Sequence, residues 1–478
     1  MNKIPLLLAM LVNALVAFAG KNDLTIRGTV TNPLADSVTF SYTGYEDNWL
    51  DFKSHVVSEP LDKNGNFIVM LPLPHNYTLI QIQNGEQATE IYASPGGKLT
   101  MTVDASNFDA SLQYEGADAA VANFMAKHML QYGFTQNFQV EMQQLIVKEP
   151  AEFETAINGR VAKELDFLVE NSKGLPQSFI EFWNAFHEYQ KYETMLMYPD
   201  AHEVMVKRTY DIGEVPKENY EVLKKVPAKF DDKFMYIDIY RTYLYRYHWA
   251  QLSAQGVKNE TMVKGKEYLL FDKMLELSYK DMPKESAEYT FAFHFHSITK
   301  YIPIARAEYL MTLFKNRYPK SDYTATIERQ LNIKRKLAPG APAIDFTVTD
   351  ADGKKIKLSE LEGKVVYIDF WASWCGPCLA QFPHTKKIKE HFAGKDVVFV
   401  YVSIDEDEKA WKAAKKKHGL TGLHTRISGG WKAKLADEYG VLGVPSYFLV
   451  DKNGNFAVEI TPRPSNTEQL IETIEALL

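Results

Sequence analysis

Cys375 and Cys378 are separated by two residues and are the only cysteines among the 478 residues of the chain. At the start of a helix this spacing lets the two sulfurs close and reopen a disulfide. The unpaired N–H groups of the first turn, together with the helix dipole, favour the thiolate of the first sulfur. Cys375 is then the nucleophile: it attacks a disulfide to form a mixed disulfide, which Cys378, one turn later and less exposed, resolves by attacking Cys375. Pro377 suits the first helical turn, where its missing N–H would be unpaired anyway, and Gly376 lets the backbone of a partner come close. Two other readings stand beside this one, half of a zinc site and an inert bridge. Against the first, a structural zinc site takes four N or S ligands and there is no second cysteine pair. Against the second, so small a ring has little of the chain-entropy effect of a structural disulfide.

The elements that must position this pair can be read around it. Val365 to Phe370 is apolar except for Asp369, which predicts a strand covered on both faces. A helix is expected from about Cys375, a second buried strand over Val397 to Ser403, and a crossover helix around Ala410 to His418. Upstream, Asp345 to Thr349 and Lys355 to Leu358 flank the hairpin turn Asp350-Ala351-Asp352-Gly353. Downstream of Val444-Pro445, strands are predicted at Tyr447 to Val450 and Phe456 to Ile460, joined by Asp451-Lys452-Asn453-Gly454-Asn455. A closing helix from about Asn466 to Leu478 follows.

The stretch Asp369-Phe370-Trp371-Ala372-Ser373-Trp374-Cys375-Gly376-Pro377-Cys378 resembles the active site of thioredoxins. Pro342-Ala343-Ile344-Asp345-Phe346, Leu358-Ser359-Glu360-Leu361 and Gly363-Lys364 resemble the TlpA/ResA-like branch of that superfamily, which are exported disulfide reductases. The resemblance covers about the last 140 residues and implies an α/β thioredoxin fold over 340–478. It implies that Asp369 is a buried acid relaying a proton to and from the resolving thiol, and that Pro383 kinks the active-site helix. Val444-Pro445 would carry a cis-proline facing the disulfide. Trp374, Gly376, Pro377 and Val444 would then meet the substrate. Where thioredoxins have a lysine near the buried acid, this chain has Tyr401. Glu406 matches an acid that borders the active site in the ResA-like branch, although Asp405, Glu406, Asp407 and Glu408 also read as a solvated loop. The redox-active disulfide would be the only reactive group, with no cofactor and no metal. Partners would be a protein disulfide substrate and a membrane electron donor.

The rest of the chain points to a multidomain protein. Lys3, the apolar run Ile4 to Val16 and the small residues of Ala17-Phe18-Ala19 predict a signal peptide over 1–19, cleaved after Ala19, and hence export to the periplasm or cell envelope. Short alternating segments at Leu24 to Val30, Val38 to Tyr42, Asn66 to Leu71, Tyr77 to Gln83 and Lys98 to Val103 predict an all-β, sandwich-like domain over 22–115. It resembles the small β domain of uncharacterised role that often precedes thioredoxin-like domains, with Pro95-Gly96-Gly97-Lys98-Leu99 as the matching stretch. From 119 to 336 apolar residues recur at helical spacing, predicting an all-α region broken near Glu149-Pro150, Gly174 to Pro176, Tyr198-Pro199, Gly213 to Pro216, Pro283 and Tyr318-Pro319. Tyr236, Tyr240, Tyr243 and Tyr247 share one helix face and are expected to pack in the core. His294 and His296 lack a carboxylate or cysteine at ligand spacing.

Composition narrows the function classes. With 46% hydrophobic and 24% charged residues the chain belongs among folded globular proteins. Lys plus Arg at 54 against Asp plus Glu at 61, a net charge of -7, supplies no electrostatic footprint for nucleic acid. Three functions remain: a reductase of protein disulfides, an oxidant or isomerase, and a binding protein whose N-terminal domains recruit the target.

Overall fold

The computed structural model describes residues 23–45, 48–134, 137–208, 215–256, 268–299, 302–349 and 353–478. The signal-like run 1–19 and turn residues 350–352 lie outside them. Two four-stranded sheets form the N-terminal domain from β1 (Asp23–Thr31), β2 (Ser37–Tyr45), β3 (Phe52–Pro60), β4 (Asn66–Pro72), β5 (Thr78–Asn84), β6 (Gln87–Ala93), β7 (Lys98–Asp104) and β8 (Gln113–Glu115). Their orders are β4-β1-β7-β8 and β3-β2-β5-β6. The inner faces meet across residues such as Phe40 and Phe67, whose rings lie 5.8 Å apart. Strands β3, β6 and β8 carry no readable alternation. No residue of β3 is buried, β6 buries the polar Thr89 and Glu90 beside Ile91, and β8 spans three residues.

Helices include Ala119–Tyr132, Pro150–Asn171, Gln177–Lys207, Asp238–Ala254, Lys284–Ile298, Ile304–Arg317 and Thr324–Lys336. One expected break is absent, because Gln177–Lys207 runs through Pro199. Proline removes one helical hydrogen bond and crowds the preceding turn, but packing holds the helix together here. Tyr198 is fully buried, stacks on Phe153 at 4.1 Å and donates its hydroxyl to the carbonyl of Lys148 at 2.7 Å. Tyr240 and Tyr243 are also fully buried, as expected of core residues, but Tyr236 precedes the helix Asp238–Ala254 and, like Tyr247, is only half-buried. No helix among the described residues is long and apolar enough to cross a membrane.

The chain divides into two compact units. The first takes the described residues within Met1–Met205, Pro216–Gln255 and Tyr279–Ala287; the second takes those within Val206–Val215, Gly256–Ser278 and Glu288–Leu478. The stretch 119–336 is thus shared between them.

In the second unit a six-stranded sheet has the order β10-β9-β13-β12-β11-β14. Its strands are β9 (Thr347–Thr349), β10 (Lys355–Lys357), β11 (Val365–Trp371), β12 (Val397–Ser403), β13 (Leu423–Arg426) and β14 (Ser446–Val450). All seven residues of β11 are buried, and it pairs parallel with β12 and antiparallel with β14. Helices Gly376–His391, Glu408–Lys417 and Thr467–Glu475 complete the fold. Phe456 to Ile460 does not form the strand expected there. Phe456 makes a single bridge to Val450, and its backbone is taken up by the linker: its N–H goes to Ala341 O at 2.9 Å and its carbonyl accepts from Gly340 N at 2.8 Å.

Candidate active site

Where β11 ends, the chain crosses Ala372, Ser373 and Trp374 and enters helix Gly376–His391 with Cys375 as its N-cap and Pro377 in the first turn. Cys375 and Cys378 are joined in a disulfide with their Cα atoms 5.3 Å apart. The N–H of Cys378 points at Cys375 Sγ from 3.1 Å. In the reduced protein that donor faces the sulfur that must carry negative charge, which favours its thiolate. Both cysteines are nearly enclosed, Cys375 at 4% and Cys378 at 1% exposure. Trp374 and Pro377 beside them are exposed.

Asp369 lies two residues before Trp371 on β11, so both side chains leave the same face of the sheet. That face is covered by the active-site helix, since Phe382 of the helix meets Trp371 at 5.3 Å and Tyr401 at 6.2 Å. Asp369 therefore sits beneath the helix that carries Cys378. It is 2% exposed, its Oδ1 has no hydrogen-bond partner, and burial pushes its carboxyl up to about 8. Tyr401 stands opposite it on β12 and Tyr447 on β14, so neither flanking strand offers a cation to hold the carboxylate charged. Tyr401 in turn stacks on His424 at 4.9 Å.

The Val444-Pro445 peptide is cis. Ser446, the first residue of β14, is in register with Phe370, which puts Pro445 at the sheet end where β11 runs out toward Cys375. Pro383 lies inside the active-site helix.

The acidic run after β12 separates residue by residue. Asp405 is buried and accepts from Ser373 N at 2.9 Å, Ser373 Oγ at 2.6 Å and Ser403 Oγ at 2.7 Å. It anchors the loop that delivers Trp374 and Cys375. Asp407 caps helix Glu408–Lys417, accepting from Lys409 N at 2.8 Å. Glu406 is exposed; a Cβ on Gly430 would lie 3.1 Å from its Oε1. The residue after that glycine, Trp431, meets Trp374 at 6.0 Å, and the two indoles are 46% and 59% exposed. Sequence reasoning missed both Asp405 and Trp431. The position of Asp405 directly behind a buried strand was the one available hint; nothing local marks Trp431.

A disulfide at a helix N-terminus above a buried carboxyl, with a cis-proline at the same sheet end, defines a dithiol oxidoreductase of the thioredoxin fold. The family model and the curated relatives agree. The redoxin family model matches residues 338–474. The thiol-disulfide oxidoreductase ResA of Bacillus thuringiensis is 34% identical over 145 residues, 30% of this chain and 79% of that protein. The Bacillus subtilis ResA is 30% identical over 128 residues, 27% of this chain and 70% of its own length. Among solved structures, the thioredoxin domain of a thiol-disulfide oxidoreductase from Bacteroides vulgatus is 27% identical and covers 29% of this chain and 97% of its own, with a TM-score of 0.27. The chain belongs to the ResA-like thiol-disulfide oxidoreductases.

Proposed function

We propose that this protein is exported and reduces disulfides of other proteins outside the cytoplasm through the Cys375/Cys378 dithiol. The Cys375 thiolate attacks one substrate sulfur; the substrate S–S bond breaks and its second sulfur leaves as a thiolate that takes a proton from solvent. Asp369 accepts the proton of Cys378, whose sulfur then attacks Cys375 Sγ and releases the remaining substrate thiol. Two electrons have passed to the substrate, and the domain holds the disulfide until a membrane electron donor reduces it. Residues 20–336 recruit the target in this reading.

The observation that carries the proposal is the placement of Asp369, buried and shifted up to about 8, beneath the helix of the resolving cysteine. A base poised near the working pH can take the Cys378 proton and return it. Direction depends on potential, so the test is equilibration of the full-length protein with glutathione buffers. A potential near that of thioredoxin, about -270 mV, is expected. A value near about -120 mV, that of a strong oxidant, would overturn reduction in favour of oxidation. Trapping with Cys378→Ala in intact cells should leave Cys375 bound to its substrates, and the compartment of the trapped proteins tests export.

A further inference from the structure

The sheet of order β3-β2-β5-β6 ends on β3, a nine-residue strand none of whose residues is fully buried. Leu61, just past its end, donates its N–H to Asp36 O at 2.8 Å, and Pro60 is in register with Ser37. Backbone groups alternate in direction along an antiparallel strand, so those of Phe52, Ser54, Val56, Ser58 and Pro60 point away from β2. Among the described residues they meet no further strand. The same five residues lie on the outer face of the sheet, because the alternate set pairs with the inward-facing Val38, Phe40 and Tyr42. Phe52 is 74% and Val56 66% exposed there. A long edge with open backbone groups and exposed apolar side chains is a template for one more strand.

The sequence of β3 selects that strand. Two copies related by a twofold axis normal to the sheet keep their faces, so opposite residues must share a face and the axis must pass through a residue. Only an axis through Val56 pairs every position of Phe52–Pro60. It sets Val56 against its own copy, Ser54 against Ser58 and Phe52 against Pro60 on the outer face. On the inner face His55 meets Val57 and Lys53 meets Glu59. No like charges oppose each other, and the symmetry forms the Lys53–Glu59 pair twice. Pro60, which has no N–H, falls at the last position and forfeits only the terminal bond.

Glu59 carries a second observation. It is half-buried, and burial alone, with no cation beside it, pushes its carboxyl up. An ammonium set opposite it in a second copy would offset that burial.

We propose that β3 is a self-association edge: two copies of the chain pair antiparallel through Phe52–Pro60 about Val56, joining their β3-β2-β5-β6 sheets into one. A single strand pair lies at the small end of specific interfaces, below about 1,200 Å² in total, so the association is weak. Sedimentation equilibrium of the full-length oxidised protein over about 1 to about 300 µM, the span of weak affinities, should show the mass rise from one chain toward two. Val56→Lys sets two ammonium groups against each other at the axis. It should weaken association at least about tenfold, the factor for about 1.4 kcal/mol of like-charge repulsion. Because the position is exposed, the far-UV circular dichroism should not change. Glu59→Lys, which opposes Lys53, should weaken association similarly. Adding Lys53→Glu to Glu59→Lys in the same chain should restore it, because the exchanged charges meet only in this register. A protein that stays monomeric throughout, a dimer unaffected by Val56→Lys, or a double variant that associates no better than Glu59→Lys would each overturn the proposal.

Discussion

The carboxylate of Asp405 receives the backbone N–H of Ser373 at 2.9 Å and its hydroxyl at 2.6 Å, two residues before Cys375. The end of β12 thereby fixes the loop that launches the active-site helix. Asp405→Ala leaves those donors and the Ser403 hydroxyl unsatisfied in a buried setting, at a cost of about 2–4 kcal/mol. Urea unfolding measures the loss, and disulfide reduction should slow in molecules that remain folded. Asp405→Asn, which keeps one acceptor, should lose less than half as much.

Asp369 makes stability depend on pH in a defined direction. Its carboxyl titrates near about 8 when folded, against about 3.9 in an unfolded chain. Between those values the unfolded state has released its proton and the folded state has not, so stability falls as pH rises through that window. Asp369→Asn should therefore be more stable than the unmodified protein at about pH 9, with the advantage vanishing near about pH 4. The same substitution should remove an inflection near about pH 8 from the rate of mixed-disulfide resolution, followed by stopped flow.

Tyr401 faces Asp369 across the β11–β12 pair and supplies no positive charge. Tyr401→Lys places an ammonium there, which should lower the Asp369 titration by about 1–3 units. The pH inflection should move with it. Tyr401→Phe, which changes no charge, should leave the inflection where it is; a shift of similar size in both variants would mean that packing, not charge, sets the acid.

Trp431 touches Trp374 yet remains half exposed, so the pair offers an aromatic surface beside the dithiol. Trp431→Ala should change stability by no more than about 0.5 kcal/mol, as for an ordinary surface position. KM for reduction of a protein disulfide should rise several-fold. Reduction of a small disulfide such as hydroxyethyl disulfide, which cannot span the two indoles, should be unaltered.

The catalytic pair was legible because its chemistry is local. Cys375 and Cys378 are three positions apart on one helical turn, and Pro377 fits that turn for reasons contained in its own ring. Asp369 was readable as one polar residue in an otherwise apolar strand. The alternating apolar pattern likewise marked β1, β2, β4, β5 and β7, each with one face toward the core. It failed for β3, none of whose residues is fully buried, and at Pro199, where the distant Phe153 overrides the break.

What the residues determined by themselves is the reaction type: a reactive pair at a helix start, an acid in an apolar strand and a proline before the last strand. Tertiary structure alone decided how that pair is held. Asp405 and Ser373, and Trp431 and Trp374, lie tens of positions apart within each pair. They acquire meaning only when the fold brings them together, because a carboxylate that is merely polar in a sequence becomes a clamp once burial makes every unmet hydrogen bond costly.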